Sequence, residues 1–132
     1  MKYTETKIRV RYGETDQMGI VYHGNYAQYL EIGRVEWLRS YGISYKKMEE
    51  QGVMLPVISL SINYKKSAGY DDVIYVKTQL CKMPTATIEF DFEILNEDGE
   101  IISLAKVILA FINMKTMRPT RCPKDILDKL QN

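Results

Sequence analysis

The residues most able to do chemistry lie in one short run, Tyr12-Gly13-Glu14-Thr15-Asp16-Gln17-Met18-Gly19-Ile20-Val21-Tyr22-His23-Gly24-Asn25-Tyr26. It is rich in glycine yet carries apolar side chains, so it is expected to tuck against the body of the protein. It also leads directly into a helical pattern, and the free N–H groups and positive dipole end of a helix N-terminus favour developing negative charge. Hydrolysis of a thioester needs donors for the oxyanion formed at the carbonyl, and a base or nucleophile on the other side. The backbone N–H groups of His23 and Gly24 are candidate donors, and Asp16 is the candidate carboxylate. A carboxylate is already ionised at neutral pH and needs no further activation. On composition alone, an aspartate in a glycine-containing loop is more simply a turn or cap residue. By the same standard His23 is a capping or packing residue, Glu14 an exposed loop charge, and Tyr22 and Tyr26 core aromatics.

The rest of the sequence narrows the chemistry by exclusion. His23 is the single histidine and there is no GxSxG elbow, so a Ser-His-Asp or Cys-His site is not expected. Cys81 and Cys122 stand far apart without a CxxC spacing, a poor zinc set, so neither a metal nor a cofactor is expected. Eighteen basic and seventeen acidic residues give a formal charge of +1 with no dense basic block, which argues against a nucleic-acid partner. The first residues lack the apolar run of a signal peptide, and no stretch approaches the ~20 apolar residues that span a bilayer. A cytoplasmic protein is expected. A length of 132 residues suggests one domain, 1–132, with enough buried surface to fold without disulfides.

The elements that must position Asp16 follow from periodicity. Ile8 and Val10 alternate with charged residues in a strand spanning Thr4 to Arg11. From Tyr26 the pattern becomes helical, with Tyr26, Leu30, Gly33, Trp37 and Leu38 on one face and Glu31, Arg34 and Glu36 on the polar side. Asn25 with Gln28 resembles a capping box, Gly42 is placed to end the helix, and Trp37 is its expected anchor. Gly33, costly inside a helix, predicts close backbone approach. A short helix is expected from Ser44 to about Gln51.

The period then changes to two. Ile58, Leu60, Ile62 and Tyr64 share one face of a strand, another strand runs from about Val73 to Met83, and Thr87 to Leu95 alternates cleanly. After the turn 96–99, a strand from Ile101 to Asn113 is apolar on both faces, as for a central strand covered on each side. One cover would be the helix and the other a second subunit. A final amphipathic helix carries Ile126, Leu127 and Leu130. The plan is α+β, one antiparallel sheet wrapped around one long helix.

The stretch RYGETDQMGIVYHGNYAQYLEIGRVEWL resembles the signature of the 4-hydroxybenzoyl-CoA thioesterase-like family of acyl-CoA thioesterases, which includes bacterial members linked to the Tol-Pal system. The matching positions are Asp16 with Gly19, Ile20-Val21, Tyr22-His23, Asn25-Tyr26, and Glu31 with Arg34. YKKSAGYDDVIYV and RPTRCP extend the resemblance over almost the whole chain. It implies a hotdog fold, a dimer or homotetramer with the active site between subunits, a catalytic role for Asp16, and a backbone N–H at His23 that polarises the thioester carbonyl. Acyl-CoA is then the substrate. Tyr22, Asn25 and Tyr26 are the expected pocket residues, and Lys65, Lys66, Arg118 and Arg121 are candidate contacts for the CoA phosphates. The alternatives are an acyl carrier protein thioester as substrate, a non-catalytic acyl-binding module, for which a missing carboxylate would be the mark, and a hydratase, which would want a histidine placed for proton transfer.

Overall fold

A computed structural model describes residues 3–131 of the protein. Its elements run β1 (Tyr3–Arg9), α1 (Tyr26–Ser40), α2 (Tyr45–Glu50), β2 (Val53–Met54), β3 (Val57–Tyr64), β4 (Val73–Leu80), β5 (Thr87–Leu95), β6 (Ile101–Ala110), β7 (Ile112–Asn113), β8 (Arg118–Pro119) and α3 (Lys124–Leu130). Five strands form an antiparallel sheet in the order β1-β4-β5-β6-β3, and β2, β7 and β8 form a second, small sheet. This is the α+β plan expected, one long helix laid on an antiparallel sheet.

The helix forms where the apolar period demands it. Tyr26, Leu30, Gly33, Trp37 and Leu38 are buried, as is Tyr29, which the sequence pattern did not single out. Trp37 is fully buried, with its ring edge-on to Phe90 at 5.2 Å and against Tyr41 at 4.4 Å. Removing an indole of this size from water contributes about 2–3 kcal/mol. Gly42, at φ 75°, ends the helix. Its N–H donates to the Arg39 carbonyl, and the Ile43 N–H reaches back to Leu38, the paired bonds of a Schellman motif. Ser44 caps α2 by accepting from the Lys47 N–H at 3.2 Å.

Two expectations need correction. The capping box at Asn25 does not form: the Asn25 side chain makes no cap bond, and a 3-10 turn, His23–Asn25, runs straight into α1 instead. The strand expected over Ile101 to Asn113 breaks at the buried Phe111 and sends Ile112–Asn113 into the small sheet. It lies between β5 and β3, one place off the centre of the sheet. The apolar face of β3 is largely left open. α1 packs against β1 and β4, which leaves Ile58 59 % and Leu60 45 % exposed.

Gly33 explains how the helix lies so close to the sheet. A methyl group at this position would stand 2.7 Å from both Thr78 Oγ1 and Val76 Cγ1. Both neighbours are themselves fully buried, so neither can move aside cheaply. Gly33→Ala is therefore expected to destabilise the fold by about 1–3 kcal/mol despite the better helix propensity of alanine. Urea denaturation of the two proteins measures the difference.

Candidate active site

The segment between β1 and α1 has few idle polar groups. The Asp16 N–H donates to the Ile20 carbonyl at 2.8 Å, and the Gly19 N–H returns to the Asp16 carbonyl at 3.0 Å. Gly19 takes φ 81°, a left-handed conformation that favours glycine. Asp16 Oδ1 accepts the Met18 N–H at 2.8 Å, so the carboxylate is a turn residue, as its composition suggests. Its other oxygen, Oδ2, accepts no hydrogen bond among the described residues. One oxygen closes the turn and the other is unengaged.

The loop is fastened on both sides. Val21 donates to the Ala68 carbonyl at 2.8 Å, and Ile20 bridges Gly69. These contacts bring the β3–β4 connection, with Lys65, Lys66 and Ser67, alongside Asp16. The second fastening is Glu14, whose expected role as an exposed loop charge is overturned: it is 8 % exposed. Its carboxylate accepts the Arg11 N–H at 2.8 Å, the Arg11 guanidinium at 3.1 Å and the Tyr29 hydroxyl at 2.9 Å. Its carbonyl accepts the Tyr22 N–H and the Asn25 side-chain amide, both at 2.9 Å.

Burial pushes the Glu14 carboxyl up, but the Arg11 N–H, the Tyr29 hydroxyl and the Arg11 guanidinium together outweigh it and hold the group below the ordinary carboxylate range. Tyr29 moves the opposite way, raised by burial and then by Glu14 itself.

A cavity of about 360 Å³ opens at this loop, lined by Asp16, Met18, Ile20, Val21, His23, Tyr26, Tyr64, Lys65, Lys66 and Ser67. Among the described residues, the N–H groups of His23 and Gly24 donate to no acceptor. They sit on the 3-10 turn that begins the α1 region, where unspent donors and the helix dipole act together. The site therefore combines a carboxylate oxygen without a partner and two unspent backbone donors. Such a set can attack or deprotonate at one side of a carbonyl and bind the oxyanion at the other.

Of the residues read from sequence, Asp16, His23, Tyr26, Lys65 and Lys66 meet in this cavity. The side chains of Tyr22 and Asn25, and Gly24, are not part of its lining. The Tyr22 ring packs over Gly24 so closely that a Cβ there would meet it at 2.6 Å, and Asn25 is tied to Glu14. Arg118 and Arg121 are exposed on β8 and just beyond it, outside the cavity lining. Lys66 pairs with Glu100, whereas Lys65 has no ion-pair partner among the described residues. Among those residues no cluster of three or more His, Cys, Asp or Glu side chains is arranged to hold a metal.

Sequence reading missed Glu14 as a buried hub and Tyr64 as a cavity residue. For Glu14 the local sign is only the three-residue spacing to Arg11; its burial depends on Tyr29, which lies on α1. For Tyr64 the alternation of β3 gave the face but not what it faces. A larger cavity, about 500 Å³, lies between α1 and α2 and is lined in part by Glu31, Arg34, Tyr45 and Glu49. It shares no residue with the Asp16 cavity.

Acid should loosen the Glu14 fastening. A carboxyl held low in the folded state contributes stability that is present above the unfolded value of about 4.3 and is lost as pH falls through the folded value. Glu14→Gln is expected to cost about 2 kcal/mol at neutral pH, the scale of a charge-assisted bond, and to flatten the acid side of the stability profile. Thermal unfolding from pH 7 down to about pH 3 checks both.

The comparisons with known proteins agree with this architecture. Residues 10–130 match the model of the thioesterase-like superfamily. YneP of Bacillus subtilis is 34 % identical over 128 residues, 97 % of this chain and 93 % of that protein. The acyl-CoA thioesterase YbgC of Haemophilus influenzae is 32 % identical over 120 residues, covering 90 % of this chain and 88 % of its own. The crystal structure of a DHNA-CoA thioesterase from Staphylococcus aureus superposes with a TM-score of 0.92 at 38 % identity, over 99 % of this chain and 92 % of that one. With a matching model over nearly its whole length and a helix laid on the same sheet, this chain belongs to the thioesterase-like superfamily.

Proposed function

We propose that the protein is an acyl-CoA thioesterase that hydrolyses its substrate to a free carboxylic acid and CoA, with Asp16 as nucleophile or general base. The observation that carries this reading is the pairing of an unpartnered Asp16 oxygen with the two unspent N–H groups of His23 and Gly24. The thioester carbonyl sits with its oxygen toward those N–H groups. As the carbon becomes tetrahedral, charge builds on that oxygen where donors are already aimed. Asp16 Oδ2 either attacks the carbon directly, giving a mixed anhydride that water opens, or takes a proton from an attacking water. CoA leaves as the thiolate and gains a proton from solvent. Tyr26 and Tyr64 line the acyl side, and Lys65, with no carboxylate partner, receives a CoA phosphate. Cys81 and Cys122 are both free, which suits a reducing cytoplasmic compartment.

Asp16→Asn keeps the size of the side chain and the Met18 turn bond but removes the charge and the basicity. It is expected to lower kcat by at least about 100-fold with little change in melting temperature or CoA affinity. Thiol release from a panel of aliphatic and aromatic acyl-CoAs, followed with a colorimetric thiol reagent, is the measurement. Near-normal turnover in the variant would remove Asp16 from the mechanism.

The working unit is a homo-oligomer built on the free edge of β3. That strand is paired to β6 alone, and Val57, Ile58, Leu60 and Tyr64 are all at least 44 % exposed. An eight-residue strand with an apolar face left at a sheet edge is a template for another chain. A second copy pairing there continues the sheet and covers the face that α1 leaves open. Replacing Ile58 and Leu60 with lysine is expected to yield a folded monomer by size-exclusion chromatography with light scattering. An unchanged assembly in that variant would place the interface elsewhere.

A further inference from the structure

The mechanism above gives Tyr64 no task beyond lining the cavity, yet its hydroxyl makes a specific bond. The Tyr64 O–H donates to the carbonyl oxygen of His23 at 3.0 Å, across 41 residues of sequence. That carbonyl also accepts the Tyr26 N–H. On the neighbouring peptide unit, the Tyr22 carbonyl accepts the Asn25 N–H at 2.9 Å. The two amides whose N–H groups are unspent, Tyr22–His23 and His23–Gly24, are thus each held at the oxygen end.

We propose that Tyr64 is a positioning residue for thioester hydrolysis, its hydroxyl fixing the His23 carbonyl so that the His23 and Gly24 N–H groups stay aimed at the developing oxyanion. This rests on the thioesterase reading and adds to it a residue from another element. Two physical effects carry it. A hydrogen bond on the carbonyl of an amide draws electron density toward oxygen and strengthens the N–H of the same amide, here that of Gly24. The same bond restrains rotation of the His23 backbone, and a misplacement of about 1 Å in a catalytic group can cost ~100-fold in rate.

The placement of Tyr64 suits that task. It is the last residue of β3, in register with Ser103 of the neighbouring β6, so the sheet sets its backbone. Its ring lies edge-on to Tyr26 at 5.1 Å and to His23 at 6.4 Å, which directs the hydroxyl at the turn. It is also 48 % exposed, so loss of the hydroxyl leaves no buried gap. Stability and rate should therefore part company.

Tyr64→Phe keeps the ring and deletes only the hydroxyl. The expected result is a kcat lowered about tenfold, less than the loss of an oxyanion donor itself, with KM within about twofold and melting temperature nearly unchanged. A kcat equal to wild type, whether or not KM rises, would overturn the proposal. Nitrogen-15 spectra of the same pair test the physical half without turnover: the His23 and Gly24 amide signals should shift or broaden in Tyr64→Phe while those of α3 stay in place. Unmoved His23 and Gly24 signals would equally overturn it. Should the wild-type protein release no thiol from any acyl-CoA, the thioesterase reading fails, and the spectra still decide whether Tyr64 orders the turn.

Discussion

The structure of the Asp16 segment depends on one buried carboxylate. Glu14 accepts hydrogen bonds from the backbone and guanidinium of Arg11 behind it and from the Tyr29 hydroxyl on α1, while its carbonyl holds Tyr22 and Asn25 ahead of it. A charged group leaves water only where its acceptor sites are met, and here three donors meet them. The consequence is geometric. A segment of glycines and small polar residues, which would otherwise sample many conformations, is tied to the end of β1, to the helix start and to the helix itself. The positions of Asp16 and of the His23–Gly24 turn relative to one another follow from that clasp, since both lie on chain that Glu14 anchors.

The second constraint is the close contact of α1 with the sheet at Gly33. With no side chain at that point, the helix lies against Val76, Thr78 and Phe92, on the β1-β4-β5 side. A helix presents one apolar stripe and covers only a limited width of sheet, so seating it there leaves β3 beyond its reach. The exposed apolar residues of β3 are thus a result of how the helix is seated rather than a packing fault. They fall at the strand that ends in Tyr64, beside the cavity, so whatever covers β3 also borders the site.

The legibility of these features in the sequence followed the range of the interactions involved. The α1 stripe, the alternation of β5 and the stop at Gly42 arise from neighbours a few residues apart or from a pattern with a fixed period, and they could be read; Gly33 stood out by its cost inside a helix, although the contact that requires it lies across the sheet at Val76 and Thr78. Asp16 was singled out through the resemblance of its surroundings rather than through its own type, and it lies in the lining of the cavity. The capping box at Asn25 was misread because its amide is claimed by Glu14, eleven residues upstream. The break at Phe111 was missed because its cause lies in distant chain, with the Phe111 N–H donating to Ala86 and its carbonyl accepting from Thr120. Glu14 and Tyr64 belong to the same class. Their long-range partners, Tyr29 for Glu14 and His23 for Tyr64, are set by tertiary structure, and a period or local motif carries no trace of them.

What distinguishes this loop from an ordinary turn is which polar groups are left over. Between Glu14 and Asn25 the chain satisfies the N–H groups of Glu14, Thr15, Asp16, Met18, Gly19, Val21, Tyr22 and Asn25 within the protein, yet leaves those of Gln17, Ile20, His23 and Gly24 unspent, the last two at the helix start. Unsatisfied donors carry a cost when they are shielded from water, and a helix start offers several ways to avoid it, a capping side chain being the commonest. Asn25 is of a type that would supply such a cap and is directed away, to Glu14. The carboxylate of Asp16 is likewise half used, one oxygen closing its turn and the other unengaged. Holding donors and acceptor unpaired in a fixed frame means that little reorganisation is needed when charge develops between them. That is the physical basis of the electrostatic catalysis proposed for this site.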